Sequence, residues 1–249
     1  MKWDKPNIDY EMHISYSKRA QQVIMERLID KYGYSEACRL WNKTKHVYEE
    51  YLIDLPYIGG KKNPMANQLY DSLICFAYWE AIPDKESVDE FKKTVDKTFF
   101  GQNIPTFPKW FSGENQKLLN IFALVTKPIV NLFINRHVCR GEWNNAWRVI
   151  VNPKKKPKEG LRAVLVGCPI VDFAKKHNLM HLMPAMCNGD YGSMPYLRLD
   201  MIRPKTVARG NKICDYYILN TNSSMYEKYP IKTDEKGFLY NDEPVELNG

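Results

Sequence analysis

A chain of 249 residues, 44% hydrophobic and 13% aromatic, has enough apolar mass for a substantial core, and this excludes general disorder. Its formal charge of +7 is concentrated in NPKKKPKEG at 152–160. Two prolines and a glycine mark that tract as a solvated loop, with no aromatic platform or helical basic stripe beside it, so no nucleic-acid partner is expected. The N-terminal MKWDKPNIDYEMH has no apolar run of the signal-peptide kind. The most apolar stretch, 118–134, is interrupted by Lys127-Pro128 and falls short of the roughly 18–20 uninterrupted residues of a spanning helix. The expectation is a cytoplasmic chain with no membrane partner, whose six cysteines are thiols.

Taken in chain order, the N-terminal half reads as helical. SKRAQQVIMERLIDKYG (17–33) places Ala20, Ile24, Leu28 and Ile29 on one face, with Gly33 as its C-cap. Ser35 is expected to cap a second helix, whose apolar stripe starts at Cys38, Leu40 and Trp41 and continues through Val47 and Leu52. After the loop LPYIGGKKNP a third helix is expected over 65–82, with Pro64 near its first turn. Ser87 caps a fourth, with Asp89 and Glu90 near its positive end. A Pro- and Trp-rich connection at 105–112 leads to a long, bent helix over about 114–136. Cys38 and Cys75 belong to these helical patterns and Cys139 follows the last of them, and all three read as structural.

Beyond Gly141 the period changes. Residues 145–152, 162–169, 195–204 and 214–220 read as strands by alternation and β-branched content, with one or two short helices between the second and third. The order predicts an α+β fold: a helical region, 1–140, packed on a mostly antiparallel sheet with an inserted helix in 141–249, the two integrated as one domain. The last 30 or so residues read as a peripheral strand or tail.

Three cysteines in the second region sit at expected structural breaks. Cys168 ends a strand and precedes Pro169, which suits the first turn of a helix. Orphan N–H groups and the helix dipole there would lower a thiol pKa, although a buried thiol filling the junction is the favoured account of the residue by itself. Cys187-Asn188-Gly189-Asp190 reads as a tight helix exit that brings a thiol and a carboxylate together. Arg203, of the residue type suited to gripping a carboxylate, leads into a hairpin turn that returns at Cys214. Alternation sets Cys214 and Tyr216 on one face of that strand and Asp215 on the other. The three cysteines contain no CxxC knuckle, and His177 and His181, four apart, are separated by Asn178, so no metal is assigned.

PYIGGKKNPMANQLYDSLICFAYWEAI, GCPIVDFAKKHN, LMPAMCNGD and IRPKTVARGNKICDYYI, in this order, resemble the L-2-amino-thiazoline-4-carboxylic acid hydrolase family over about 17–220. The matching positions are Gly59, Gly60, Lys61, Asn63, Cys168, Pro169, Cys187, Asp190, Arg203, Thr206, Ala208, Gly210, Cys214 and Asp215. The resemblance implies hydrolytic opening of a cyclic isothiourea to N-carbamoyl-L-cysteine, in bacterial cysteine formation, on a small-molecule substrate and without a cofactor. That chemistry needs an acid–base group at the amidinium and a cation for the carboxylate. Asp190 is assigned the first task and Arg203 the second, with Cys187 or Cys168 as candidate nucleophile and Asn63 as a polar orienter. Thr206, Cys214 and Asp215 join the substrate-binding candidates through the motif. Direct attack by water, with the cysteines as walls, is the competing version, and a non-catalytic small-molecule or zinc-binding sensor is the alternative from another class. Oligomeric state is left open.

Overall fold

The computed structural model describes residues 12–100, 116–153 and 157–247. The N-terminus through Glu11, read as lacking a signal-type run, the connection at 105–112 and the lysines central to the basic tract lie outside the described residues.

Helix α1 (Lys18–Tyr32) starts where Ser17 accepts a hydrogen bond from the Ala20 amide, and it buries Ala20, Ile24 and Leu28 while Ile29 reaches the surface. Helix α2 (Tyr34–Ile53) begins two residues earlier than a cap at Ser35 implies. Gly33, at φ +77°, is at once the C-cap of α1 and the N-cap of α2, so Ser35 falls inside the first turn and caps nothing. Helix α3 (Ala66–Ala81) is buried on nearly all sides and forms the spine of the molecule. Ser87 does cap α4 (Val88–Phe100), accepting from the Glu90 amide at 3.2 Å.

The long helix expected over about 114–136 is present, and Lys127-Pro128 interrupts its apolar run but not the helix. Helix α5 (Gln116–Val130) contains Pro128 and runs through a π-helical turn, Asn131–Asn135, into α6 (Arg136–Cys139). A proline removes one backbone donor and crowds the turn before it, which bends a helix without ending it, and the π turn follows on the C-terminal side of Pro128. By length and composition alone, Gln116–Cys139 is apolar enough to cross a membrane.

Four antiparallel strands follow, β1 (Arg148–Val151), β2 (Leu161–Val166), β3 (Leu199–Lys205) and β4 (Ile213–Asn220), in the spatial order β1-β2-β4-β3. Helices α7 (Pro169–Lys176) and α8 (Met183–Leu197) are inserted between β2 and β3. The strand expected over 195–204 starts only at Leu199, because 195–198 complete α8 and its C-cap, with Arg198 left-handed at φ +54°. After β4 come α9 (Ser224–Lys228) and a small hairpin of β5 (Lys232–Thr233) and β6 (Leu239–Tyr240). The architecture is α+β, helices first and antiparallel sheet after. Its main buried cluster runs from Ala20 and Ile24 to Phe238 and so draws on both halves.

The register of β4 decides which of its side chains face the helices. Leu165 lies opposite Cys214 and Ala163 opposite Tyr216, whereas Val164 lies opposite Asp215. Opposed residues share a face, so Cys214 and Tyr216 point one way and Asp215 and Tyr217 the other.

Candidate active site

Three elements meet on the Cys214 face of the sheet: the start of α7, the middle of α8, and β4. Cys187 and Asp190 lie within α8, not at its exit. Three residues apart on a continuous helix, they stack along one side. Asn-Gly reads locally as a turn, but here each residue answers to a distant partner. Asn188 donates to the Gly237 carbonyl at 2.8 Å and accepts from the Leu239 amide at 2.9 Å, which fastens α8 to the C-terminal hairpin. Gly189 is helical, and a Cβ there would come within 2.4 Å of the Phe100 ring, so close packing and not a left-handed turn requires the glycine.

Asp190 is held by two donors on one oxygen. Its Oδ2 accepts from Nη1 of Arg203 at 2.7 Å and from the hydroxyl of Tyr216 at 3.1 Å. The side chain remains 39% exposed, so the carboxylate is fixed from behind while still reaching solvent. Arg203 itself is fully buried. Its Nη1 also donates to the Cys187 carbonyl at 2.5 Å, Nη2 donates to the Leu239 carbonyl at 3.0 Å, and the guanidinium lies 4.8 Å from the Tyr191 ring centre. Burial is the largest single influence and opposes its charge, but Asp190, Tyr216, Cys187 and Tyr191 together outweigh it and raise its pKa. Arg203 therefore orients Asp190 and ties α8 to the C-terminal hairpin. A group with no exposed surface is poorly placed to meet a substrate carboxylate, the task assigned to it from the motif.

The three sulfurs are close enough to act on one another electrostatically. Part of Cys168 and of Cys187 meets solvent, but their sulfurs are enclosed, and Cys214 is buried outright. Burial pushes the Cys168 thiol up to about 12, although the amides of Val171 and Ile170 at the start of α7 pull the other way. The expected lowering by the helix N-terminus is present but is the smaller effect. Burial also carries Cys187 well above its ordinary value despite the opposing Arg203, and raises Cys214, whose sulfur accepts from the Val207 amide at 3.3 Å. Tyr216 is likewise pushed far up, by burial and then by Asp190, so it stays a phenol and donates. The resting site is thus one carboxylate, one phenol and three protonated thiols.

Other motif residues have structural work elsewhere. Asn63, expected as a polar orienter, is buried and uses both ends of its amide to close the Gly-Gly loop, donating to the Ile58 carbonyl at 2.7 Å and accepting from the Met65 amide at 2.9 Å. Gly59 in that loop has φ +103°, and a Cβ would strike Trp143 at 2.4 Å. Thr206 is buried at the start of the β3–β4 turn, with no protein partner for its hydroxyl. Asp215 is removed from the site altogether: on the opposite face of the sheet it makes a two-point ion pair with Arg162 at 2.9 and 2.7 Å. His177 caps α7 and stacks on Phe173, while His181 lies against Trp79, so they form no pair. Among the described residues, no group of three His, Cys, Asp or Glu side chains is arranged to hold a metal ion.

Residues 73–218 match the family described as L-2-amino-thiazoline-4-carboxylic acid hydrolase. The chain belongs to this family. The matched span contains Cys168, Cys187, Asp190, Arg203, Cys214 and Tyr216, and leaves out the Gly59–Asn63 loop. No curated protein and no solved structure matches the chain.

Inspection of the sequence missed three residues that build this centre. Tyr216 was legible in the alternation of β4 but was not singled out as a partner for a carboxylate. Tyr191 covers the Arg203 guanidinium and donates to Asn241 Oδ1 at 2.6 Å, and the same oxygen accepts from the Arg203 amide at 2.8 Å. Asn241 comes from the segment read as a peripheral tail. It is buried, and no local pattern reveals that it closes over β3.

Proposed function

We propose that this member of the family hydrolyses a small cyclic amidine or isothiourea such as L-2-amino-thiazoline-4-carboxylate, yielding N-carbamoyl-L-cysteine, with Asp190 as the central acid–base group. The observation that supports this best is the double anchoring of Asp190 Oδ2 by Arg203 and Tyr216, with the side chain still open to solvent. A carboxylate so oriented is complementary to a planar amidinium, whose positive charge activates the carbon between nitrogen and sulfur.

The raised thiol pKa values favour direct attack by water over a cysteine nucleophile, since a thiol without its thiolate form is a weak nucleophile. Water adds to the amidinium carbon and gives one proton to Asp190. The tetrahedral intermediate then expels the ring sulfur, which takes that proton. One water proton thus ends on sulfur; the other, left on the added oxygen, passes through Asp190 to solvent as that oxygen becomes the urea carbonyl, and it balances the proton the ring nitrogen took up to form the amidinium. Cys187, Cys168 and Cys214 form an apolar, polarisable wall beside the reacting sulfur. The test is to incubate the purified protein with the thiazoline and follow the new thiol and the carbamoyl product together. Production of both at a catalytic rate is expected. Absence of turnover on this compound and on its ring homologues would remove the reading.

A further inference from the structure

The α5–α6 rod carries a large exposed apolar face. Ile121, Leu124, Val125, Ile129, Leu132 and Phe133 are each between 49% and 74% exposed. At ~1.5 Å per residue the rod from Gln116 to Cys139 is about 36 Å long. It is fastened to the sheet at both ends. Gln116 exchanges two hydrogen bonds with the Gly160 backbone, at 2.7 and 3.2 Å, and Asn135 exchanges two with the Val149 backbone, at 2.5 and 2.9 Å. Leu119, Ala123 and Ile134 fill the inner side. With its inner side fixed in this way, the rod can present its outer face but cannot leave the protein to span a bilayer. A patch of this kind on a folded chain marks an interaction surface.

Charge selects the partner. No acidic residue occurs from Gln116 through Gly141, while Lys117, Lys127, Arg136 and Arg140 are distributed along the same rod, on a chain of net charge +7. A second copy packed antiparallel would set Lys127 against Lys127 and Lys117 against the Arg136 end, and packed parallel would set each cation against itself. Within the rod neither arrangement supplies an anion, and Glu142, just beyond its end, is already paired with His137 and Arg140. An anionic bilayer supplies both an apolar interior for the stripe and headgroups for the cations. We propose that this face docks in the plane of an anionic membrane surface, with Leu124, Ile129, Leu132 and Phe133 at the acyl boundary and Lys127, Arg136 and Arg140 among the headgroups.

Flotation of the full chain with vesicles tests this. Co-flotation with phosphatidylcholine–phosphatidylserine vesicles, about 7:3, is expected, together with little on phosphatidylcholine alone and release at raised salt. Leu124→Asp with Phe133→Asp should weaken binding at least about tenfold. Lys127→Ala and Arg136→Ala should weaken it about fivefold each, and these exposed substitutions keep the test valid should the apolar pair unfold the chain. Equal binding to both vesicle types, no binding to either, or full binding by the charge variants would overturn the proposal. So would a dimer, or a complex with an acidic helix, that Leu124→Asp disrupts while lipid binding is absent.

Discussion

Replacing Arg203 by methionine separates a positioning role from a substrate-binding one. The substitution keeps much of the side-chain volume but removes the donors to Asp190, the Cys187 carbonyl and the Leu239 carbonyl. Breaking a buried ion pair from one side costs about 3–5 kcal/mol, and because Asp190 is 39% exposed and can be rehydrated, the lower end applies. At roughly 2–4 °C per kcal/mol for a chain of this size, a fall in melting temperature of about 10 °C is expected. Urea unfolding with matched m-values provides the free energy. A loss below about 1 kcal/mol would refute the tie that Arg203 makes between α8 and the C-terminal hairpin. The milder Arg203→Lys addresses catalysis. If Arg203 acts through Asp190, turnover falls equally for the thiazoline with and without its carboxylate. Selective loss on the carboxylated substrate would mean that Arg203 meets the substrate itself.

Three further outcomes are expected. Gly59→Ala must place a Cβ against Trp143 at a left-handed φ, so it should destabilise the chain by at least about 2 kcal/mol in urea titration, and a neutral result would refute that packing. Burial lowers the His177 pKa, with Asp54 and Glu80 opposing and Lys176 assisting, so the folded state binds fewer protons than the unfolded chain. Stability should therefore fall as pH drops through the ordinary histidine value towards the lowered one, and His177→Phe should flatten that part of the pH–stability curve; an unchanged curve would contradict the assignment. Of the six thiols, exposed Cys139 should react first with a disulfide reagent at neutral pH, while Cys168 and Cys187 should stay slow until pH approaches their raised values, and rapid neutral-pH modification of Cys187 would revive the nucleophile version.

Much of the fold was legible because it rests on local chemistry. The Gly33 and Ser87 caps, the burial of Ala20, Ile24 and Leu28, and the face alternation of β4 follow from residue type and period. The errors arose where a distant contact overrides local preference. Asn188 and Gly189 spell a turn, yet the C-terminal hairpin and Phe100 hold them in helix. The site followed the same division. Spacing drew attention to Cys187, Asp190 and Arg203, but not to the burial of Arg203, which turns an expected substrate clamp into a support for Asp190. Nor could any spacing reveal Tyr216 behind that carboxylate or Asn241 closing over β3, since these contacts span 26 and 38 residues.

The most direct test of the central claim compares turnover of the thiazoline by Asp190→Asn and Cys187→Ser, with folding checked by melting temperature. Asparagine can still accept from Arg203 and Tyr216 but cannot carry the proton. The account predicts a fall in kcat of about 10²–10⁴-fold for Asp190→Asn, against retention within about tenfold for Cys187→Ser. Wild-type turnover by Asp190→Asn, or its abolition by Cys187→Ser in a folded protein, would contradict it.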